Sequence, residues 1–145
     1  MRISKRIGIV AVVFCAFLGV SAVDIAASEN NNIYFQFWVK SFWGNGRVTE
    51  GRYRSTTDTN DAWKVQLKSS GEGEGTITNF WLENYDEENV TRDISAVAGE
   101  DAKYDKVKSG ATERNLYLTG ENNNYNGNSY SVWGYWDEET GIILN

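Results

Sequence analysis

The side chains that could do chemistry in this chain are carboxylates, hydroxyls, lysines and aromatic rings. The sequence contains no histidine, and its single cysteine is Cys15. Ser-His-Asp and Cys-His nucleophilic catalysis and the usual zinc sites are therefore excluded. A carboxylate-based glycosidase needs two acids held in different environments. Nothing in the sequence separates two carboxylates in this way, so we predict no catalytic residue, no metal site and no cofactor.

Acidic side chains nevertheless suggest two weaker alternatives. The clusters at Asp58–Asp61 and Asp86–Glu88 have the oxygen ligands that calcium prefers, but neither has the spacing of an EF-hand loop. Glu83 has Trp81 two residues before it on the same strand face, where a sugar could lie. With 20 Asp and Glu in the chain, such a pair is expected by chance. We therefore expect solvated loops at the clusters, and a glycan hydrolase is the least favoured function.

Aromatic residues form the stronger signal. In "SYSVWGYW", if Val132 faces the core, Trp133 and Tyr135 project from the opposite face, about 7 Å apart along the strand. Trp38 and Tyr34 have the same outward position on the first strand. Flat rings at this spacing suit stacking on sugars or burial against a protein partner. We predict Trp133, Tyr135 and Trp38 as ligand-binding residues; the alternative is that the rings form cross-strand pairs or lie beneath loops.

Period-two alternation predicts the elements that position these rings. Several short strands with turn signals between them favour an all-β fold, a single antiparallel β-sandwich that is immunoglobulin-like or jelly-roll-like. Lys64, Gln66 and Lys68 should point to solvent, away from the core. The predicted core residues are Phe35, Phe37, Val65, Leu67, Leu82, Leu116, Leu118 and Val132.

The chain contains no proline, so its turns must be formed by other residues. Asn45-Gly46 and Asn126-Gly127 each lie between strand-like runs, and Asn-Gly is the strongest short-range signal of a hairpin. We therefore predict a hairpin turn at each of these two pairs.

The N-terminus predicts the compartment. "MRISKR" is followed by an apolar run and then by small residues, which is typical of a secretory signal peptide. We assign residues 1–28 to the signal peptide and residues 29–145 to one β-sandwich domain. An uncleaved membrane anchor is the alternative, because the run approaches the length of about 18 residues that spans a bilayer. We expect a secreted protein that meets the membrane only through its signal peptide, and that is cell-wall associated if its ligand lies there.

The net charge beyond Ser28 disfavours some classes of binding partner. Beyond Ser28, 11 Lys and Arg stand against 19 Asp and Glu, which leaves a net charge of −8. This balance repels nucleic acids and anionic lipid surfaces. We expect a non-catalytic binding module for a cell-wall glycan or a surface protein, with a secreted, bacteriocin-like antagonist as the alternative. The oligomeric state stays open.

Three stretches carry a family resemblance: "RYRSTTDTNDAWKVQL", "GEGEGTITNFWLE" and "ENNNYNGNSYSVWGYWDEET". They resemble a family of small secreted proteins of Gram-positive bacteria that is catalogued as a domain of unknown function. The likeness runs from Arg52 to Thr140 and implies bacterial secretion and a single domain. It brings no activity, cofactor or catalytic residue. In general character, although not in any motif, the chain also resembles lactococcin-type bacteriocins.

Overall fold

The computed structural model describes residues 29–145, so the predicted signal peptide lies outside the described residues. This part of the chain forms strands and one 3-10 helix, η1 (Ser109–Ala111). Within it, no helix is long and apolar enough to cross a membrane. The strands are β1 (Ile33–Val39), β2 (Gly46–Arg47), β3 (Arg52–Arg54), β4 (Trp63–Ser70), β5 (Ile77–Glu83), β6 (Ile94–Val97), β7 (Lys103–Asp105), β8 (Arg114–Asn122) and β9 (Tyr130–Asp137).

The strands form two antiparallel sheets, and the prediction of an all-β sandwich is confirmed. The first sheet has the order β1-β9-β4-β7, and the second has the order β2-β8-β5-β6, with β3 also pairing with β8. The inner faces of both sheets contribute to one hydrophobic core. The rings of Phe35, Phe37 and Phe80 meet there with centroids 5.5–6.2 Å apart. All the predicted core residues are buried.

The packing of β9 between β1 and β4 depends on a glycine. Where β1 pairs with β9, Phe35 lies opposite Gly134, and Tyr34 lies opposite Tyr135. A Cβ atom on Gly134 would lie 1.9 Å from the carbonyl oxygen of Gln66 on β4 and 3.1 Å from the ring of Phe35. A residue with a side chain therefore does not fit here, and Gly134 lets the backbones of β9 and β4 approach closely.

The two predicted hairpins are wrong. Around Asn45-Gly46 the chain turns earlier, at residues 41–43, where Lys40 and Gly44 form a bridge. Gly46 is already the first residue of β2, which belongs to the other sheet. Asn126-Gly127 lies between β8 and β9, which also belong to different sheets. Both segments connect the two sheets, because Asn-Gly favours a change of direction without deciding which strands pair.

Lys64 also departs from expectation. It alternates with the core residues Trp63 and Val65, so it lies on the outer face of the first sheet as predicted. It is buried rather than solvated, because its ammonium donates to the side-chain carbonyls of Asn30 and Asn32. The segment before β1 therefore covers this end of the outer face.

A buried arginine donates a hydrogen bond to the backbone directly after β9. Arg54 is fully buried and donates hydrogen bonds to the backbone carbonyls of Glu138, Asp58 and Asp61. Burial lowers the pKa of Arg54, against the opposing effect of nearby carboxylates that include Asp61. These bonds tie the chain after β9 to the loop after β3 and fix the position of β9 in the first sheet.

Candidate functional site: an aromatic face on β1 and β9

The predicted rings meet on the outer face of the first sheet. Trp133 and Tyr135 alternate along β9 with the buried residues Val132 and Gly134, so both side chains point away from the core as predicted. Tyr34 of β1 joins them. The ring centroids of Tyr34, Trp133 and Tyr135 lie 6.2–6.4 Å apart, and we call these three residues the aromatic face.

The orientation of the rings gives the aromatic face its shape. The planes of Tyr34 and Trp133 differ by only 33°, so they form a shallow platform. Tyr135 lies edge-on to both neighbours, at 70° and 89°. Tyr34 is 55% exposed, whereas Trp133 and Tyr135 are half-buried. The rings do form cross-strand pairs, which was the alternative to ligand binding, and part of each ring stays open to solvent.

Polar side chains border the platform. The Tyr34 hydroxyl donates to the side-chain oxygen of Gln36 at 2.9 Å, and the Gln36 amide donates weakly to Ser131 at 3.4 Å. Gln66 lies opposite Tyr135 on β4, and its amide donates to the carbonyl of Glu100. Amide and hydroxyl groups beside aromatic rings can hydrogen-bond to the hydroxyls of a sugar while the rings cover its apolar face.

A groove runs along the open side of β1. Among the described strands, β1 has β9 as its only neighbour in the first sheet. A depression of about 350 Å³ lies beside it, and its lining includes Tyr34, Gln36, Glu50 and Arg52. The platform therefore continues into a groove bounded by the segment that leads from β2 to β3.

The two strands that carry the aromatic face have few charged residues. No carboxylate occurs between Glu29 and Glu50, and no charged side chain occurs between Glu121 and Asp137. These two stretches contain β1 and all of β9 except its last residue, Asp137. The scarcity of charge on these two strands favours an uncharged ligand over a strongly charged one.

Asp137 at the end of β9 is the carboxylate nearest in sequence to the aromatic face. Burial raises its pKa to about 6, the backbone N–H of Asn31 acts in the opposite direction, and the charge of Glu138 raises it further. Its side chain accepts hydrogen bonds from the backbone of Asn31 and Glu139 and is 1% exposed. A substrate cannot reach a group buried in this way, so Asp137 holds the N-terminal segment in place rather than acting as an acid in an open cleft.

Trp38, the third predicted residue, lies apart from the other two. It shares the outer face, sits opposite Ser131 and is 64% exposed. Its ring is not one of those that pair with Tyr34, Trp133 or Tyr135. The structure therefore brings Trp133 and Tyr135 together and leaves Trp38 as a separate exposed ring at the far end of β1.

The Trp81–Glu83 pair forms a different arrangement, on the second sheet. The Trp81 indole N–H donates to Glu83 at 2.8 Å, and both residues are buried. Arg47 lies 3.6 Å from the other oxygen of Glu83 and stacks over Tyr117, 4.1 Å from the ring centroid. The carboxylate already has polar partners, which fits a structural role. Among the described residues, no group of acids is placed to hold a metal ion.

Comparison with known proteins identifies the family. A family model described as "Protein of unknown function (DUF2712)" matches residues 21–140, and the chain belongs to this family. The match confirms the predicted resemblance to a domain of unknown function. No curated protein and no solved structure matches the chain.

Proposed function

We propose that this protein is a secreted, non-catalytic binding module whose aromatic face holds an uncharged glycan of the cell wall. The observation that carries the proposal is the set of three rings, Tyr34, Trp133 and Tyr135, in contact on the outer face of the first sheet. The Tyr34–Trp133 platform offers apolar and CH–π contact to the flat side of a sugar ring, and Gln36 and Ser131 offer hydrogen bonds.

The groove beside β1 supports an extended ligand rather than a single sugar. It is continuous with Tyr34 and Gln36, which belong to both the groove and the border of the platform. A chain of sugars could lie across the rings and continue along the open side of β1. The wall of this groove contains the exposed Glu50 and also Arg52, which is ion-paired with Glu138 at 2.6 Å.

The test is binding of the mature chain to purified cell-wall sacculi. In the double variant Trp133→Ala/Tyr135→Ala we expect at least about a tenfold loss of binding, because most of the stacking surface is removed. The variant should stay folded, since it loses aromatic pairs worth about 0.5–1.5 kcal/mol each and no buried core residue. Binding is therefore measured well below the melting temperature of the variant.

The matched control is Tyr85→Ala. Tyr85 is 80% exposed and follows β5 in the second sheet, so its removal should leave binding unchanged. Sacculi stripped of anionic polymers, and sacculi treated with protease, separate the ligand classes. Full binding to both preparations is expected for a neutral glycan. Loss after protease treatment would identify a surface protein instead, and an unimpaired double variant would overturn the proposed site.

A further inference from the structure

A second set of exposed rings lies at a loop end, outside the aromatic face. The turn at residues 41–43 carries Phe42 and Trp43, and the segment between β8 and β9 carries Tyr125. The Tyr125 ring centroid lies 5.4 Å from that of Phe42 and 4.8 Å from that of Trp43. All three side chains are more than half exposed. We call these three residues the loop-tip cluster.

The backbone holds Phe42 and Trp43 in an unfavourable conformation. Their φ angles are 54° and 59°, in the left-handed region where a bulky residue is rare. The turn is held there because the Phe42 N–H donates to the carbonyl of Asn126 at 2.8 Å and the Lys40 N–H donates to the carbonyl of Gly44 at 3.0 Å. Glycine or asparagine would suit these positions better, so folding stability does not explain two aromatic residues here.

The composition of the loop-tip cluster points to its partner. Phe42 has no polar atom, whereas Trp43 and Tyr125 each combine an apolar ring with one hydrogen-bonding group. Rings of this kind concentrate at the boundary between lipid headgroups and acyl chains. Lys40 is the charged residue next to the turn, and the Glu72 carboxylate accepts a hydrogen bond from the Asn126 side chain at 3.0 Å beside the other loop. A surface of zwitterionic lipid is compatible with a tip that carries one lysine and a nearby carboxylate, whereas the net charge of −8 over residues 29–145 opposes an anionic membrane.

We propose that the loop-tip cluster inserts into the interface of a lipid bilayer and so provides a membrane contact separate from the glycan-binding face. This departs from the expectation that only the signal peptide meets a membrane. The rings would enter the headgroup region while Lys40 lies among the phosphates. The aromatic face would stay outside the bilayer, so the two contacts can be tested separately.

The test is co-sedimentation of the mature chain with phosphatidylcholine vesicles. Sedimentation is preferable to tryptophan fluorescence, because the chain has six tryptophans. We expect the double variant Phe42→Gly/Trp43→Gly to lose at least about tenfold in vesicle binding, because it removes most of the apolar surface that would enter the lipid. Glycine accepts the positive φ angles, so the same variant should melt at the same temperature as the wild type or higher.

The matched control is Trp133→Ala/Tyr135→Ala, which should bind vesicles as the wild type does. Weaker binding to vesicles that contain phosphatidylglycerol is expected from the net charge. The proposal is overturned if the wild type does not bind phosphatidylcholine vesicles, or if the glycine variant binds them equally well. It is also overturned if the glycine variant melts at a lower temperature, or if the wild type self-associates in solution through these rings, since the cluster would then have a structural or dimeric role.

Discussion

Burial of the Asp137 carboxylate makes the stability of this fold depend on pH. Its pKa is raised from 3.8 to about 6, first of all because burial disfavours the charged carboxylate. In the unfolded chain the group is solvated, so between these two values the folded state binds more protons than the unfolded state. The contribution of Asp137 to stability is therefore greatest below pH 3.8 and falls as the pH rises through about 6.

We predict that Asp137→Asn raises the free energy of unfolding at pH 7 by about 1–3 kcal/mol, because the cost of burying a charge is removed. The difference between the variant and the wild type should shrink to nearly zero at pH 4. Denaturant titrations at a series of pH values measure it. Glu74→Gln is the control, since Glu74 is exposed and should show no such trend. A constant difference at every pH would show that Asp137 is not the titrating group.

Gly134 decides how closely two strands of the first sheet approach. Because a Cβ atom there would lie 1.9 Å from a β4 carbonyl oxygen, Gly134→Ala must push β9 away from β4 or bend it. We expect a loss of about 3 kcal/mol or more in the free energy of unfolding, measured by urea titration.

The control for this substitution is Gly110→Ala in η1, where the nearest atom to a new Cβ is a Val90 methyl at 3.3 Å. It should cost less than about 1 kcal/mol. Because Gly134 lies between Trp133 and Tyr135, the alanine variant should also weaken glycan binding by tilting the rings. If Gly134→Ala is as mild as Gly110→Ala, the close approach of β9 and β4 is not required by the fold.

The faces of the strands could be predicted from the sequence, but their neighbours could not. Side chains alternate with period two, so placing Val132 in the core was enough to point Trp133 and Tyr135 outward. Which strand lies beside β9 depends on packing between segments far apart in the chain. For this reason Tyr34 could be recognised as an outward ring on β1 but not as the partner of Tyr135. The same limit explains the two Asn-Gly pairs, whose turns connect different sheets.

The loop-tip cluster shows the same limit for loops. No periodicity links Phe42 and Trp43 to Tyr125, because none of the three lies on a strand. Lys64 was missed for a related reason. A side chain on an outer face is solvated only if no other segment covers it, and here Asn30 and Asn32 do. These features arise from contacts between distant parts of the chain, which no local pattern reports.

The predicted export of the whole protein is tested in the cells that produce it. We predict that the culture medium contains a mature form that begins between Val23 and Asn30, because the small residues there suit signal peptidase. Mass spectrometry of the secreted fraction measures the N-terminus. Val12→Asp, which interrupts the apolar run, should retain the precursor inside the cell. Full-length chain in the membrane fraction would contradict the prediction and support an uncleaved anchor.

The order of the strands also sets when the binding surface can exist. β1 is the first of the described strands to leave the ribosome, yet β9, the last of them, is its only partner in the first sheet. The ring of Tyr34 therefore cannot contact Trp133 and Tyr135 until nearly all of the chain has been synthesised. A chain that has not yet added β9 therefore has no assembled aromatic face with which to bind a ligand.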